Sequence, residues 1–328
     1  MRPSGARAAA SAIAALFLSA AAPAADDGFT VPAWPYPGNA PPPAAVPPSA
    51  DTTLLRVPNR GAAFTRAQVT DLFAPPDWHP GTHPPMPVVV AVGRKPSVYA
   101  CGYCHLPDGT GRPENAALAG LPADYIKAQV ADVRSGARHS AWRGPYKPTD
   151  LMQSSAENST DEEIAAAAAY FSKLPMKRRV EVVEATDVPQ TRELGWLYVP
   201  IEGAGTEPLG QRIIEMPLDH ERHELRDSAS GFRAYVPTGS IARGKGLVEG
   251  GGDGVTVACG TCHGPDLRGV GLIPPLAGRS PTYIVRQLLA FKTGSRATVA
   301  GQPMLSVVNR LEIEDMIAVA AYTATQEP

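Results

Sequence analysis

All four cysteines of this 328-residue chain lie in two copies of one pentapeptide, Cys-Gly-Tyr-Cys-His at 101–105 and Cys-Gly-Thr-Cys-His at 259–263. Two thiols three residues apart lie on one helical turn, where they can form thioethers with the two vinyl groups of a haem. The histidine that follows is then held against the iron. The sequence therefore predicts two covalently attached haem c groups, one for each pentapeptide. The predicted attachment residues are Cys101, Cys104, Cys259 and Cys262, and the predicted iron ligands are His105 and His263.

Two other kinds of site use a Cys-x-x-Cys pair, namely redox dithiols and zinc sites. Neither requires a histidine directly after the second cysteine. Here the histidine follows in both copies, and no cysteine is left over. Covalent haem is therefore the favoured hypothesis, and zinc is the main alternative.

The first 24 residues have the pattern of an export signal. Arg2 and Arg7 precede an apolar run that ends in the small-x-small cleavage site Ala22-Pro23-Ala24. The run has about 15 residues, short of the roughly 20 that span a bilayer, so a cleaved signal is favoured over a membrane anchor. We expect cleavage after Ala24 and a mature protein in the periplasm that meets the membrane only through its partners.

The charge balance gives no support to nucleic-acid binding. Loss of both signal arginines would take the formal net charge from −2 to −4, which is weakly acidic. The glycine-rich segment 250–254 also lacks the Gly-Lys-Ser/Thr that a phosphate loop requires. We interpret this segment as a helix end and a turn.

Each haem motif begins an internal repeat. A shift of 158 residues superposes the two motifs and the elements Leu-Ala-Gly, Tyr-x-x-x-Gln and Gly-x-Arg that follow them. A shift of 152 then pairs Met152 with Met304 and Tyr170 with Tyr322, so the first copy has six extra residues between Arg138 and Met152. Such self-similarity indicates two copies of one structural unit.

Both repeats are predicted to be helical. Thr160 and Glu163 form a capping box that starts a helix ending near Leu174, and its counterpart runs from about Glu312 to Thr325. Ser280 is a predicted N-cap of an earlier helix in the second repeat. A short helix is expected ahead of each haem motif, ending near residues 93 and 250.

The chain divides into five predicted segments. These are a signal peptide at 1–24, a proline-rich N-terminal arm at 25–85, a first repeat at 86–175, a connector at 176–237 and a second repeat at 238–328. The arm is expected to be extended, with one short helix near 65–73. β-Branched and aromatic runs at 180–183, 196–201 and 232–236 predict short strands in the connector.

Met152 and Met304 are the predicted sixth iron ligands. Each lies 18 residues before its paired tyrosine, so the two should occupy one structural position, in a loop ahead of the last helix. A thioether at the iron favours the reduced state and closes the site to other ligands. Five histidines are expected not to bind iron. They are His79, His83, His139, His220 and His223.

Arg138 and Arg296 are candidate contacts to the haem propionates. They match across the repeat, just beyond a helix end and next to the expected haem crevice. The planar guanidinium can donate two hydrogen bonds to one carboxylate. The alternative is a solvated arginine that the helix dipole favours. For Tyr125 and Tyr283 we expect a place in the helical core.

These motifs, each present twice, resemble the two-domain dihaem class I cytochromes of the c4 type. The resemblance implies a mainly α fold with two tandem class I cytochrome c domains, at 86–175 and 238–328, and one haem c in each with a histidine and a methionine on the iron. It further implies a carrier that passes electrons one at a time between periplasmic redox proteins, with a dehydrogenase as donor and an oxidase or another cytochrome as acceptor.

Three features depart from the family pattern. The proline that supports the histidine in the family is matched by Pro274 but replaced by Ala116 in the first repeat, which predicts weaker carbonyl support for His105. The connector is much longer than the usual linker, and the arm has no counterpart.

The alternatives are a dihaem peroxidase, a thiosulfate dehydrogenase, the cytochrome subunit of a periplasmic dehydrogenase, and a structural or gas-sensing haem module. The peroxidase and the gas sensor need an iron face that can open. The thiosulfate enzymes resemble this chain but use a cysteine as one distal ligand, and no cysteine remains here for that role.

Overall fold

The computed structural model of the protein describes residues 29–38 and 52–328. The predicted signal peptide, its cleavage site and the proline runs at 41–43 and 47–48 lie outside the described residues.

In the described residues of the arm and the first repeat there are six α-helices. They are α1 (Arg66–Val69), α2 (Val88–Ala91), α3 (Cys101–His105), α4 (Ala123–Arg134), α5 (Lys147–Asn158) and α6 (Asp161–Phe171). The predicted capping box is present at the start of α6, where the Thr160 side chain accepts from the Glu163 amide and the Glu163 side chain accepts from the Thr160 amide. Val90, Ala168 and Phe171 are fully buried at the centre of this unit.

The connector is built from seven short strands and one helix. They are β1 (Val180–Ala185), β2 (Asp187–Pro189), β3 (Thr191–Leu194), β4 (Leu197–Pro200), β5 (Thr206–Pro208), β6 (Ile214–Pro217), α7 (His220–Glu224) and β7 (Phe232–Pro237). Strand β7 lies between β1, to which it is parallel, and β6, to which it is antiparallel. The pairs β2–β5 and β3–β4 form two small antiparallel sheets. The three predicted strands are confirmed as β1, β4 and β7.

The second repeat contains five α-helices. They are α8 (Ser240–Gly250), α9 (Gly260–His263), α10 (Pro281–Lys292), α11 (Gln302–Val308) and α12 (Ile313–Thr325). Ser280 caps α10 as predicted, and α8 ends at Gly250 in a turn of left-handed glycines. Among the residues that the structure describes, no helix is long and apolar enough to cross a membrane.

Helices α8 and α12 cross at a glycine. A Cβ atom added at Gly244 would lie 2.0 Å from the Ala318 carbonyl oxygen, far inside van der Waals contact. Gly244 therefore allows the two helix backbones to touch, and this contact closes the core around Met316 and Ile317, neither of which is exposed.

The described residues of the arm pack against the rest of the protein. Tyr36 is buried and stacks on Trp142 with ring centroids 5.9 Å apart. Trp78 is also buried, and its indole nitrogen donates to the Leu225 carbonyl oxygen at 2.7 Å. The arm helix that was predicted near 65–73 is confirmed as α1. The expectation of an extended arm did not include these contacts. They form because Tyr36 and Trp78, which lie among the prolines, bury apolar surface.

We expect the variant Gly244→Ala to unfold more easily than the parent. The new methyl group would force α8 and α12 apart, and overpacking of this kind costs about 1–3 kcal/mol. Gly246→Ala is the matched control in the same helix, since a Cβ atom there meets nothing within 4 Å. It should raise the free energy of unfolding by roughly 0.5–1 kcal/mol. Equal effects of the two changes in urea-induced unfolding would contradict the close crossing.

A buried carboxyl group predicts a pH dependence of stability. Glu215 in β6 accepts hydrogen bonds from the Ser280 hydroxyl at 2.7 Å and the Thr282 amide at 3.2 Å. Burial raises the pKa of Glu215 above its ordinary value of 4.5. A group whose pKa is higher in the folded state contributes stability at low pH, and this contribution is lost as pH rises through the folded-state pKa.

We therefore expect the parent to lose stability relative to Glu215→Gln as the pH rises from 4.5 towards neutral. Denaturant unfolding across this range measures the difference. The control is Glu202→Gln, because Glu202 is exposed. A difference between parent and Glu215→Gln that stays constant with pH, or grows as pH falls, would contradict the burial of the carboxylate.

Candidate haem centres

The two attachment motifs fold in the same way. Helix α3 places both cysteines of the first motif on one turn, and Cys259 caps α9 in the second. Leu106 and Gly264, which follow the two histidines, both have a positive φ, of 64° and 85°. The chain therefore reverses directly after each histidine.

Each motif histidine is oriented by a backbone carbonyl. The Nδ1 atom of His105 lies 2.8 Å from the Ala116 oxygen, and that of His263 lies 2.7 Å from the Pro274 oxygen. A carbonyl only accepts, so Nδ1 carries the proton and Nε2 has the free lone pair that a metal requires. Burial also lowers the pKa of both histidines, which favours the neutral imidazole. The expectation of weaker support at His105 is wrong, because the carbonyl makes the bond and alanine supplies it as proline does.

Three of the four thiols in the two attachment motifs have raised pKa values, whereas the thiols of redox dithiols have lowered ones. Burial raises the pKa of Cys101 to about 12 and that of Cys259 to about 11. Burial also raises the pKa of Cys104, although Arg226 and Arg112 lower it in part. A catalytic dithiol needs a lowered pKa so that a thiolate is present. The environment therefore favours thioether attachment over dithiol exchange.

The predicted methionine ligands lie in helices. Met152 is in α5 and Met304 is in α11, so their expected placement in a loop is wrong. Both helices have a proline in the first turn, which is a helix start signal. Both also lie between the Gly-x-Arg element and the last helix of their repeat. The two methionines thus occupy corresponding helices, and their role as iron ligands stays a prediction.

Arg138 and Arg296 bind across the boundary between the repeats. Arg138 donates from Nη2 to the Tyr283 hydroxyl at 3.0 Å and to Gln287 Oε1 at 2.8 Å. Arg296 donates from Nη2 to the Tyr125 hydroxyl at 2.8 Å and to the side chain of the first-repeat glutamine that matches Gln287, at 2.7 Å. Each arginine thus binds the tyrosine and the glutamine of the opposite repeat. Tyr125 also packs against the core of the first repeat, as expected.

The backbones pair at the same place. The His139 amide donates to the Ser295 carbonyl at 2.9 Å, and the Ala297 amide donates to the Ala137 carbonyl at 3.1 Å. Under the shift of 158 residues, His139 matches Ala297 and Ala137 matches Ser295. A local two-fold axis between the repeats therefore relates the two hydrogen bonds.

The interface carries uncompensated positive charge that suits a haem. Arg138, Arg279, Arg286 and Arg296 form no ion pair among the described residues. Burial, together with the nearby Arg138, lowers the pKa of Arg296, and its buried Nε has no partner in the described part of the chain. A buried cation of this kind is costly without an anion. A propionate would supply one, so the residues present fit the predicted group.

The remaining histidines have other surroundings. His79 contacts Asp227, His83 contacts Tyr170, His139 contacts the Gly136 carbonyl, and His223 contacts Arg112. His220 lies in the first turn of α7.

Sequence patterns missed the contact between the connector and the first haem motif. The Arg226 guanidinium lies 3.5 Å from the centroid of the Tyr103 ring, and its Nη1 donates to the Tyr103 carbonyl at 2.8 Å. The two residues are 123 positions apart, so no local motif could have paired them.

The chain is similar to several characterised cytochromes. It is 35% identical over 95 residues to cytochrome c-554(547) of Halothiobacillus neapolitanus, which covers 26% of this chain and 97% of that protein. It is 27% identical to the thiosulfate dehydrogenase electron acceptor of Stutzerimonas stutzeri strain A1501, over 71% of this chain and 81% of the relative. It is 26% identical to cytochrome c4 of Azotobacter vinelandii, over 68% and 82% respectively.

One solved structure is also similar. The solved cytochrome c4 of Acidithiobacillus ferrooxidans superposes with a TM-score of 0.46 at 21% identity, over 69% of this chain and 98% of that one. No protein-family model matches the chain.

The similarity to cytochrome c-554(547) extends over nearly all of that relative, and the attachment motif occurs twice in this chain. The longer matches pair the chain with a cytochrome c4 and with an electron acceptor over most of their lengths. The chain belongs to the dihaem c-type cytochromes of the c4 type, which carry covalently attached haem c and transfer electrons.

Proposed function

We propose that this protein is a periplasmic electron carrier that does not itself transform a substrate. One observation carries the proposal: each repeat presents a carbonyl-oriented histidine and, in a corresponding helix, a methionine. Paired His/Met sites leave no open iron face, and an enzyme of this class needs one.

The protein's residues prepare both sites for electron transfer. The bound haem supplies an iron that alternates between the ferrous and ferric states. Each histidine stays neutral and oriented through its carbonyl bond, and the thioether of Met152 or Met304 would favour the ferrous state. The reciprocal arginine contacts fix one repeat against the other, so the two sites keep one relative position.

The enzyme alternatives each need a feature that this chain lacks. The thiosulfate dehydrogenases that resemble it use a cysteine as one distal ligand, and all four cysteines here lie in attachment motifs. A dihaem peroxidase needs an exchangeable ligand, and each repeat supplies a methionine instead.

For the donor, we propose a dehydrogenase that oxidises a sulfur compound. One relative is named as a thiosulfate dehydrogenase electron acceptor, and another as the cytochrome subunit of a sulfide dehydrogenase. The acceptor would be an oxidase or another cytochrome.

Two covalent haems per chain are expected from protein expressed with export and haem attachment. Mass spectrometry should show two haem additions. The double variant Cys259→Ala, Cys262→Ala should show one, because only the first motif can still form thioethers. Two retained haems in this variant would contradict the assignment.

Replacing Met304 by alanine should open one iron. Its spectrum should shift towards high spin and its reduction potential should fall, since the thioether that favours ferrous iron is lost. Met86→Ala is the control, because Met86 has no partner methionine under either repeat shift. Unchanged spectra in both variants would show that Met304 is not an iron ligand.

Turnover by the unmodified protein decides between carrier and enzyme. We expect reduction by a donor protein and reoxidation by an acceptor, with no small-molecule product. Thiosulfate oxidation or peroxide reduction near the ~10 per second that is typical of enzymes would refute the proposal.

A further inference from the structure

One buried arginine binds backbone carbonyls of both repeats. Arg279 lies two residues before helix α10 of the second repeat, and only 4% of it is exposed. Its Nε atom donates to the Pro275 carbonyl oxygen at 2.8 Å. Its Nη1 donates to the Ala117 carbonyl oxygen at 2.6 Å, and its Nη2 donates to the Ala119 carbonyl oxygen at 3.2 Å. All three nitrogen atoms of the guanidinium therefore bind main-chain oxygens, two of them in the opposite repeat.

The arginine joins two equivalent backbone segments. Residues 116–117 and 274–275 match under the shift of 158 residues, and we call them the orienting segments. The first carbonyl of each segment lies close to the Nδ1 atom of a motif histidine, at 2.8 Å for His105 and 2.7 Å for His263. The second carbonyl of each segment accepts from Arg279. One guanidinium therefore connects the supports of both histidines.

The fold of the repeat does not require an arginine at this position. Under the same shift, Arg279 matches Leu121, which packs in the apolar core of the first repeat. Burial lowers the pKa of Arg279 to about 10, and this guanidinium forms no ion pair among the described residues. Burial of a cation without a counter-ion is costly. The arginine therefore has a role beyond the packing of its own repeat.

The connector fixes the backbone beside Arg279. Ser280, the next residue, caps helix α10, and its hydroxyl donates to the buried Glu215 carboxyl group of β6 at 2.7 Å. Glu215 also accepts from the Thr282 amide at 3.2 Å. These hydrogen bonds hold the start of α10 against the connector sheet. The arginine is thus held at its backbone as well as at its guanidinium.

We propose that Arg279 is a positioning residue for both haem centres, because it holds the two orienting segments together. This inference rests on the histidine-ligated haem centres of the function proposed above. A hydrogen bond at the second nitrogen of a metal-bound histidine fixes the orientation of the ring and raises the basicity of the ligand. Arg279 therefore sets this support for both histidines together, and a displacement of one orienting segment is passed to the other.

The test follows the two histidine hydrogen bonds directly. In the reduced holoprotein labelled with ¹⁵N-histidine, NMR detects the Nδ1–H proton of each motif histidine, and its exchange with deuterium measures how often the hydrogen bond opens. In the variant Arg279→Gln we expect both signals to shift and both protons to exchange roughly tenfold faster or more. Hydrogen bonds from a charged donor contribute enough to stability for a change of this size.

Arg286→Gln is the matched control. Arg286 lies in α10, is 6% exposed and also donates to two backbone carbonyls. Its partners are Pro35 and Pro113, which lie outside the orienting segments. We expect both variants to lose stability in denaturant unfolding, but Arg286→Gln should leave both histidine signals unchanged. If Arg279 contributed to stability alone, the two variants would behave alike.

Arg279→Lys separates the charge from the hydrogen bonds. Lysine keeps the charge, but its single nitrogen does not replace the planar guanidinium that binds both segments. We expect at least one histidine signal to shift and its proton to exchange faster in this variant as well. The lysine variant also decides the question if Arg279→Gln does not fold.

The proposal is overturned by any of the following results. They are unchanged exchange in Arg279→Gln, a change at His263 alone, equal changes in Arg286→Gln, and parental exchange at both histidines in Arg279→Lys. Failure of the proposed function is a separate result, because the haem count and the turnover assay are measured on the unmodified protein, without any change at Arg279.

Discussion

The reciprocal hydrogen bonds of Arg138 and Arg296 are the interaction on which the arrangement of the two repeats depends. Each guanidinium donates to a tyrosine and a glutamine of the other repeat, and also to the matching glutamine of its own repeat. Burying an arginine costs several kcal/mol unless hydrogen bonds satisfy it. Neither arginine can therefore be buried well without the opposite repeat. The Gly-x-Arg element is thus the structural link between two copies of one unit, and it keeps the two haem centres in a fixed relation.

The two-fold symmetry of the interface does not extend to the connector and the arm. In the first repeat, Arg226 and His223 lie over the haem motif and over Arg112. Asp227 holds this cover in place, because its buried carboxylate pairs with His79 of the arm at 2.6 Å and with Arg222. Hydrogen bonds from these partners keep the pKa of Asp227 low in spite of the burial that opposes them. The first attachment motif therefore has connector residues packed against it through Arg226.

Features formed by residues close together in the sequence could be predicted, whereas contacts between residues far apart in the sequence could not. Attachment motifs, capping boxes and N-caps involve residues within five positions of one another, and the structure confirms the Thr160 and Ser280 caps as well as three strands. The helices that hold the methionines were missed although first-turn prolines signal them. The partners of Arg138 and Arg296 in the opposite repeat lie 145–171 positions away, and no local pattern encodes a contact across that separation. Similarly, nothing near Ala116 in the sequence reveals that its carbonyl replaces that of the expected proline.

The most direct measurement of the central claim is the weak long-wavelength charge-transfer band from methionine sulfur to ferric iron in the oxidised protein. Its intensity, divided by the haem content, counts the methionine-ligated irons in one experiment. Two equivalent sites predict an intensity of two methionine-ligated haems per chain. An intensity of one or none would contradict the account, because one repeat at least would then present an iron face that is open or ligated differently.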